Sequence, residues 1–90
     1  AHYDHLGRQG RQIFHGADDN ASGTATVLSV AATFDSLARQ TIRPRRSVLF
    51  VLFSGEEMGL FGSAYFMVNS PIPVQQFVGN INVDMVGRAD

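Results

Sequence analysis

The 90-residue sequence predicts an α/β fold in which a mostly parallel sheet is flanked by helices, and three features predict it. Ser47–Phe53, "SVLFVLF", is a continuous apolar run, which suits a central strand covered on both faces. Val27, Val30, Ala31, Phe34, Leu37 and Ala38 recur at spacings of three and four, the period of an amphipathic helix. Extended and helical segments then alternate along the chain, which favours parallel strands joined by crossover helices.

Taken in order, residues 1–3 read as the end of a first strand, followed by a polar loop through Gly7, Gly10 and Gly16. The helical pattern begins at Asn20, with Asp19, Asn20 and Ser22 available as N-terminal caps, and should end near Arg39 or Gln40. After the apolar strand, residues 60–68 can form a short helix stopped by Asn69, Ser70 and Pro71. Residues 79–85, "GNINVDM", alternate polar and apolar side chains, with Ile81 and Val83 on one side of a third strand.

Composition excludes several classes. At 44% hydrophobic, 17% charged and a net charge of -1, the chain has enough apolar residues for a small core and too little positive charge for a nucleic-acid surface. Arg43, Arg45 and Arg46 around Pro44 form the one basic cluster and read as a solvated loop. The absence of cysteine excludes a disulfide or a thiolate zinc site within the chain. No apolar run reaches the roughly 18 residues of a membrane span, and residues 1–7 carry no leader pattern. Residues 1–90 contain no repeat or interdomain linker and read as the central piece of one longer domain. Oligomeric state is not encoded in any feature of this stretch.

The chemistry gathers where the predicted strands finish. His2 and Asp4 follow the first, Glu56 and Glu57 the second, Asp84 sits in the third, and Asp18 and Asp19 open the first helix. Sites in parallel α/β sheets form beyond the C-terminal strand ends. Two adjacent glutamates after a buried strand cost several kcal/mol as ionised groups unless a cation or hydrogen-bond donors offset the lost hydration. The chain has no lysine, and no arginine lies near the glutamates in sequence, so a bound metal is the natural partner. An imidazole with several carboxylates and no sulfur suits zinc or a similar divalent ion, and a carboxylate can bridge two ions.

Four blocks carry a family resemblance: "AHYDHLG" at 1–7, "GADDNASG" at 16–23, "GEEMGLFGS" at 55–63 and "INVDMVGR" at 81–88. Each is a weak pattern alone, but all four stand in the right order across the whole chain. Together they resemble the co-catalytic zinc aminopeptidases of peptidase family M28. The resemblance implies a three-layer α/β/α domain of the zinc-exopeptidase type, of which residues 1–90 would be a central part. It implies two zinc ions bridged by Asp19, with His2 and Asp84 on one and Glu57 on the other. It further implies a cis peptide bond after Asp19. Asp4 would accept a hydrogen bond from the free ring nitrogen of His2 and fix its tautomer. Glu56 would stay off the metals as general base. A further histidine ligand of the second zinc would lie beyond the matched stretch.

The reaction so implied is hydrolysis of N-terminal peptide bonds, by two-metal activation of water with a glutamate taking and returning the proton. The substrate would be a peptide, and the setting secreted or periplasmic. Carboxypeptidases share the resemblance. A single-zinc glutaminyl cyclase is an alternative, and retention of both His2 and Glu57 speaks against it. A non-catalytic receptor or interaction domain of the same fold is another, and it should have lost ligands. Outside the site, His5 reads as a loop or pocket-rim residue, His15 as solvent-facing, and Asp18 as a cap or polar neighbour. Phe61, Tyr65, Phe66 and Met67 read as core. Asn20-Ala21-Ser22 fits the N-glycosylation pattern, which a position beside metal ions would exclude.

Overall fold

The computed structural model describes residues 1–89. Its longest element is α1, Gly23–Arg39, within a residue of the expected end. The helix turns a half-buried stripe of Val27, Ala31, Phe34 and Ala38 inward, while Val30 and Leu37 lie on the solvent side. The inward stripe meets residues 47–53, where the Phe34 and Phe50 rings pack edge-on at 5.6 Å. Such a pair contributes about 0.5–1.5 kcal/mol beyond its buried area. The second helix, α2, spans Phe61–Val68 and ends at Asn69. Its Phe66 packs edge-on against Phe53 at 5.6 Å and, tilted, against Phe77 at 6.0 Å. Phe50 and Phe53 are an odd number of residues apart, so an extended backbone sends them to opposite sides. One apolar run thus serves both helices, which is why it does not alternate.

The strands differ from expectation. The predicted parallel sheet reduces, among the described residues, to one parallel bridge between His2 and Phe53. In it the Phe53 N–H donates to the Ala1 carbonyl at 3.0 Å and the Tyr3 N–H to the Phe53 carbonyl at 2.9 Å. Among the described residues, neither the rest of Ser47–Phe53 nor Gly79–Met85 forms a ladder. A strand is registered only where a neighbour accepts its hydrogen bonds, and these segments find none here. The ladder that does form is antiparallel and unforeseen: β1, Gly7–Gln9, pairs with β2, Gln12–Phe14, across a two-residue turn opened by Gly10 at φ 61°. Its polar, exposed residues give no period-two pattern, so the expected loop is a hairpin.

Between β2 and α1 the chain makes one wide turn, Ala17–Ser22, interrupted at Asp19 (φ -105°, ψ 91°) and Asn20 (φ -135°, ψ 45°). The Asp19–Asn20 peptide bond is cis, as the resemblance implies. No helix among the described residues is long and apolar enough to cross a membrane. Arg43, Arg45 and Arg46 are all exposed.

Candidate metal centre

The His2–Phe53 bridge lays two chain segments side by side, so the residues that follow each one emerge together. His2 is almost completely buried. Its main-chain carbonyl accepts from Thr24 Oγ1 at 2.9 Å, which ties it to the start of α1. The ring is fixed as well: Nδ1 lies 3.0 Å from the Asp4 carbonyl and 3.4 Å from Asp4 Oδ1. A carbonyl can only accept, so Nδ1 carries the hydrogen and Nε2 presents its lone pair to the site. The expected partner is the Asp4 side chain, and the shorter contact goes to its backbone instead. The Asp4 carboxylate turns to the glutamates, accepting the Glu56 N–H at 3.3 Å.

Nε2 of His2 faces three carboxylates: Asp19 Oδ1 at 3.2 Å, Asp84 Oδ2 at 3.7 Å and Glu56 Oε2 at 3.9 Å. Glu57 reaches the other side of Asp19, where its Oε1 lies 2.9 Å from His5 Nδ1. That nitrogen stands 3.9 Å from Asp19 Oδ2. Potential ligand atoms within 4.8 Å of one another therefore form overlapping groups. These are His2 with Asp19 and Asp84, His5 with Asp19 and Glu57, and His2 with Glu56 and Glu57. Asp19 belongs to the first two. Among the described residues no arginine pairs with any of these carboxylates, since Arg39 meets Asp35 and Arg88 meets Asp18.

The local fields follow from this crowding. Burial is the largest influence on His2 and disfavours its charged form. The Asp4 carbonyl and the charges of Glu56, Asp84 and Asp19 together outweigh it and raise the imidazole above its ordinary range. For Asp4, burial pushes the carboxyl upward. The main-chain N–H groups of Glu56, Asp4 and Glu57, with His2, win and hold it below the ordinary range.

Asn20 is the residue that sequence reasoning missed as a site element. Its side chain is buried, and Nδ2 donates to the Val83 carbonyl at 3.2 Å while Oδ1 accepts from Gly23 N at 2.9 Å and Met85 N at 3.2 Å. It thus brackets Asp84 on both sides and caps α1 with the same oxygen. This burial removes it as a glycan acceptor. Met85 sits at φ 49°, a left-handed conformation uncommon for a non-glycine residue, directly after Asp84. Asp18 is a polar neighbour and not a cap: its Oδ1 accepts from Gly87 N at 2.7 Å, and Ser22 Oγ donates to its main-chain carbonyl at 2.6 Å.

The glutamate turn is held by α2. Phe61 N donates to the Gly55 carbonyl at 3.0 Å and Gly62 N to the Ser54 carbonyl at 2.9 Å. A Cβ on Gly62 would collide with the Ser54 carbonyl oxygen, so glycine is required for this close approach.

An α/β chain that gathers imidazoles and carboxylates without sulfur presents the donor set of a divalent-metal site. The chain belongs to peptidase family M28, which it matches over residues 1–90. It is 41% identical over 73 residues to aminopeptidase NAALADL1 of Mus musculus, covering 79% of this chain and 10% of that protein. It is 33% identical over 90 residues to aminopeptidase YwaD of Bacillus subtilis, covering 99% of this chain and 18% of that protein. Over 66 residues it is 38% identical to human transferrin receptor protein 2, covering 73% of this chain and 8% of that protein. The chain therefore spans less than a fifth of the length of these relatives. No solved structure matches it significantly.

Proposed function

We propose that the protein containing this chain is a zinc-dependent aminopeptidase that hydrolyses N-terminal peptide bonds of peptides, using two zinc ions. The observation that carries this reading is Asp19 standing between His2 with Asp84 on one side and Glu57 on the other, with no arginine among the described residues to neutralise these carboxylates. Membership of a peptidase family and similarity to proteins named as aminopeptidases support it.

The donor set fits zinc: a neutral Nε2 on His2, fixed by the Asp4 carbonyl, with carboxylates around it. His2 and Asp84 would hold one ion, Glu57 the other, and Asp19 both. Zinc bound there would supply Lewis acidity toward the substrate carbonyl and the attacking water. Glu56 takes the water's proton and hands it to the leaving amine, a role that suits a half-exposed carboxylate at the rim of the ligand group. Asp4 orients that base by holding its backbone N–H. Residues 1–90 would be a central part of a single catalytic domain, in which further strands complete a parallel sheet between two helical layers.

Glu56→Gln in the full-length protein tests the assignment of the base. Zinc content should stay as in the wild type while kcat falls by about 10²–10⁴-fold. A variant with normal kcat would remove Glu56 from the mechanism. Similarity to a protein named as a receptor favours a second reading, a non-catalytic interaction domain. The presence of His2, Asp19, Glu56, Glu57 and Asp84, each ligand and base position that residues 1–90 span, weighs against it.

A further inference from the structure

We infer that His5, placed outside the site by its sequence context, is a positioning residue for Glu57, holding that carboxylate toward the second ion of the proposed centre. The inference rests on the two-zinc reading and names a residue that reading does not use.

Geometry separates two roles for this ring. Two ligand atoms on one tetrahedral zinc, each about 2.0–2.2 Å from it, stand about 3.4 Å apart. The separations from His2 Nε2 to Asp19 and Asp84, 3.2 and 3.7 Å, bracket that value. His5 Nδ1 and Glu57 Oε1 are only 2.9 Å apart, the length of a hydrogen bond. An ionised carboxylate only accepts, so Nδ1 carries the hydrogen and has no lone pair for a metal. The surroundings of the ring are built for it. Phe14 of β2 packs edge-on at 6.3 Å, and a Cβ on Gly16 would lie 2.8 Å from the His5 Cβ. The missing Cβ of Gly16 leaves this space open, and its φ of 68° is one that other residues rarely adopt. The hairpin β1–β2 thereby gains a role, because it walls the ring that aims Glu57. A carboxylate with one oxygen held by a donor turns the other to its metal in a set direction, and losing such a partner typically costs 10–100-fold in metal affinity.

The test uses the full-length protein and zinc alone, titrated by chelator competition, with wild type, His5→Ala and His5→Asn compared. Asn places an N–H donor close to the position of Nδ1. His5→Ala should weaken the binding of one ion by about 10–100-fold and leave the other unchanged. His5→Asn should recover most of that loss. If His5→Ala does not fold, His5→Gln, with its donor one bond farther out, replaces it and should behave as the defective variant. Undiminished binding of both ions by the defective variant overturns the positioning role. Equal loss in His5→Ala and His5→Asn overturns it too, making the ring itself a ligand. Wild type with a single ion defeats the two-zinc reading and this inference with it, an outcome distinct because it is seen before any substitution.

Discussion

His2 sets the behaviour of the metal-free site. Its imidazole is raised above the ordinary value of about 6.5, so between the unfolded and the folded value the metal-free site takes up a proton on folding. The stabilisation from that proton is fully present below the unfolded value and lost as pH rises through the folded one. Zinc requires the deprotonated ring, so the loaded protein should respond with opposite sign, its zinc affinity rising with pH over the same window. Thermal melts of the full-length protein with and without zinc, across neutral pH, should show opposed slopes; parallel slopes would refute the linkage. Asn20 offers a second prediction. Asn20→Ala strands the buried Gly23 N, a loss of about 1–3 kcal/mol, and releases the half-buried Val83 carbonyl and the Met85 N, which water can reach. Denaturant unfolding of the full-length protein should show a loss of about 1–3 kcal/mol. The candidates whose chemistry is common to ligands were legible as candidates: His2, Asp19, Glu56, Glu57 and Asp84 all come together in space. Asn20 and His5 were not, because an amide serving backbone groups 63 and 65 residues away and an imidazole bonding 52 residues away leave no local signal.

At the level of elements, α1 and α2 were legible because their apolar spacing and stop signals are local. The strands were not, because ladders depend on partners. Ser47–Phe53 has the sequence of a central strand and meets a neighbour only at Phe53. The hairpin Gly7–Gln9 and Gln12–Phe14 has a neighbour and no hydrophobic pattern. The element that matters most to the chemistry is the contact between the start of α2 and Ser54–Gly55, since it fixes the glutamate turn. Gly62→Ala should force these backbones apart, at about 1–3 kcal/mol by analogy with overpacked cores. A fall in kcat together with a lower melting temperature is expected. Wild-type kinetics in that variant would mean the turn is held by other contacts.

As a whole, the chain exposes 7217 Å², where a compact monomer of its size exposes about 5,200 Å². Its radius of gyration is 15.4 Å against about 12 Å for a compact domain of this length. Val48, Leu49, Phe50, Val78 and Ile81 are among the exposed apolar side chains, and most of them fall on the segments expected to be strands. Surfaces of this kind are covered in a stable domain. Residues 1–90 produced alone should therefore bind a hydrophobic dye and unfold without a cooperative transition. A sharp melt and no dye binding would show that the chain suffices by itself. The site has a different requirement, because the charge gathered around Asp19 needs cations that the arginines do not provide. The most direct measurement is elemental analysis of zinc per chain in the full-length protein purified without chelator. Two ions are expected; one ion or none would contradict a centre bridged by Asp19.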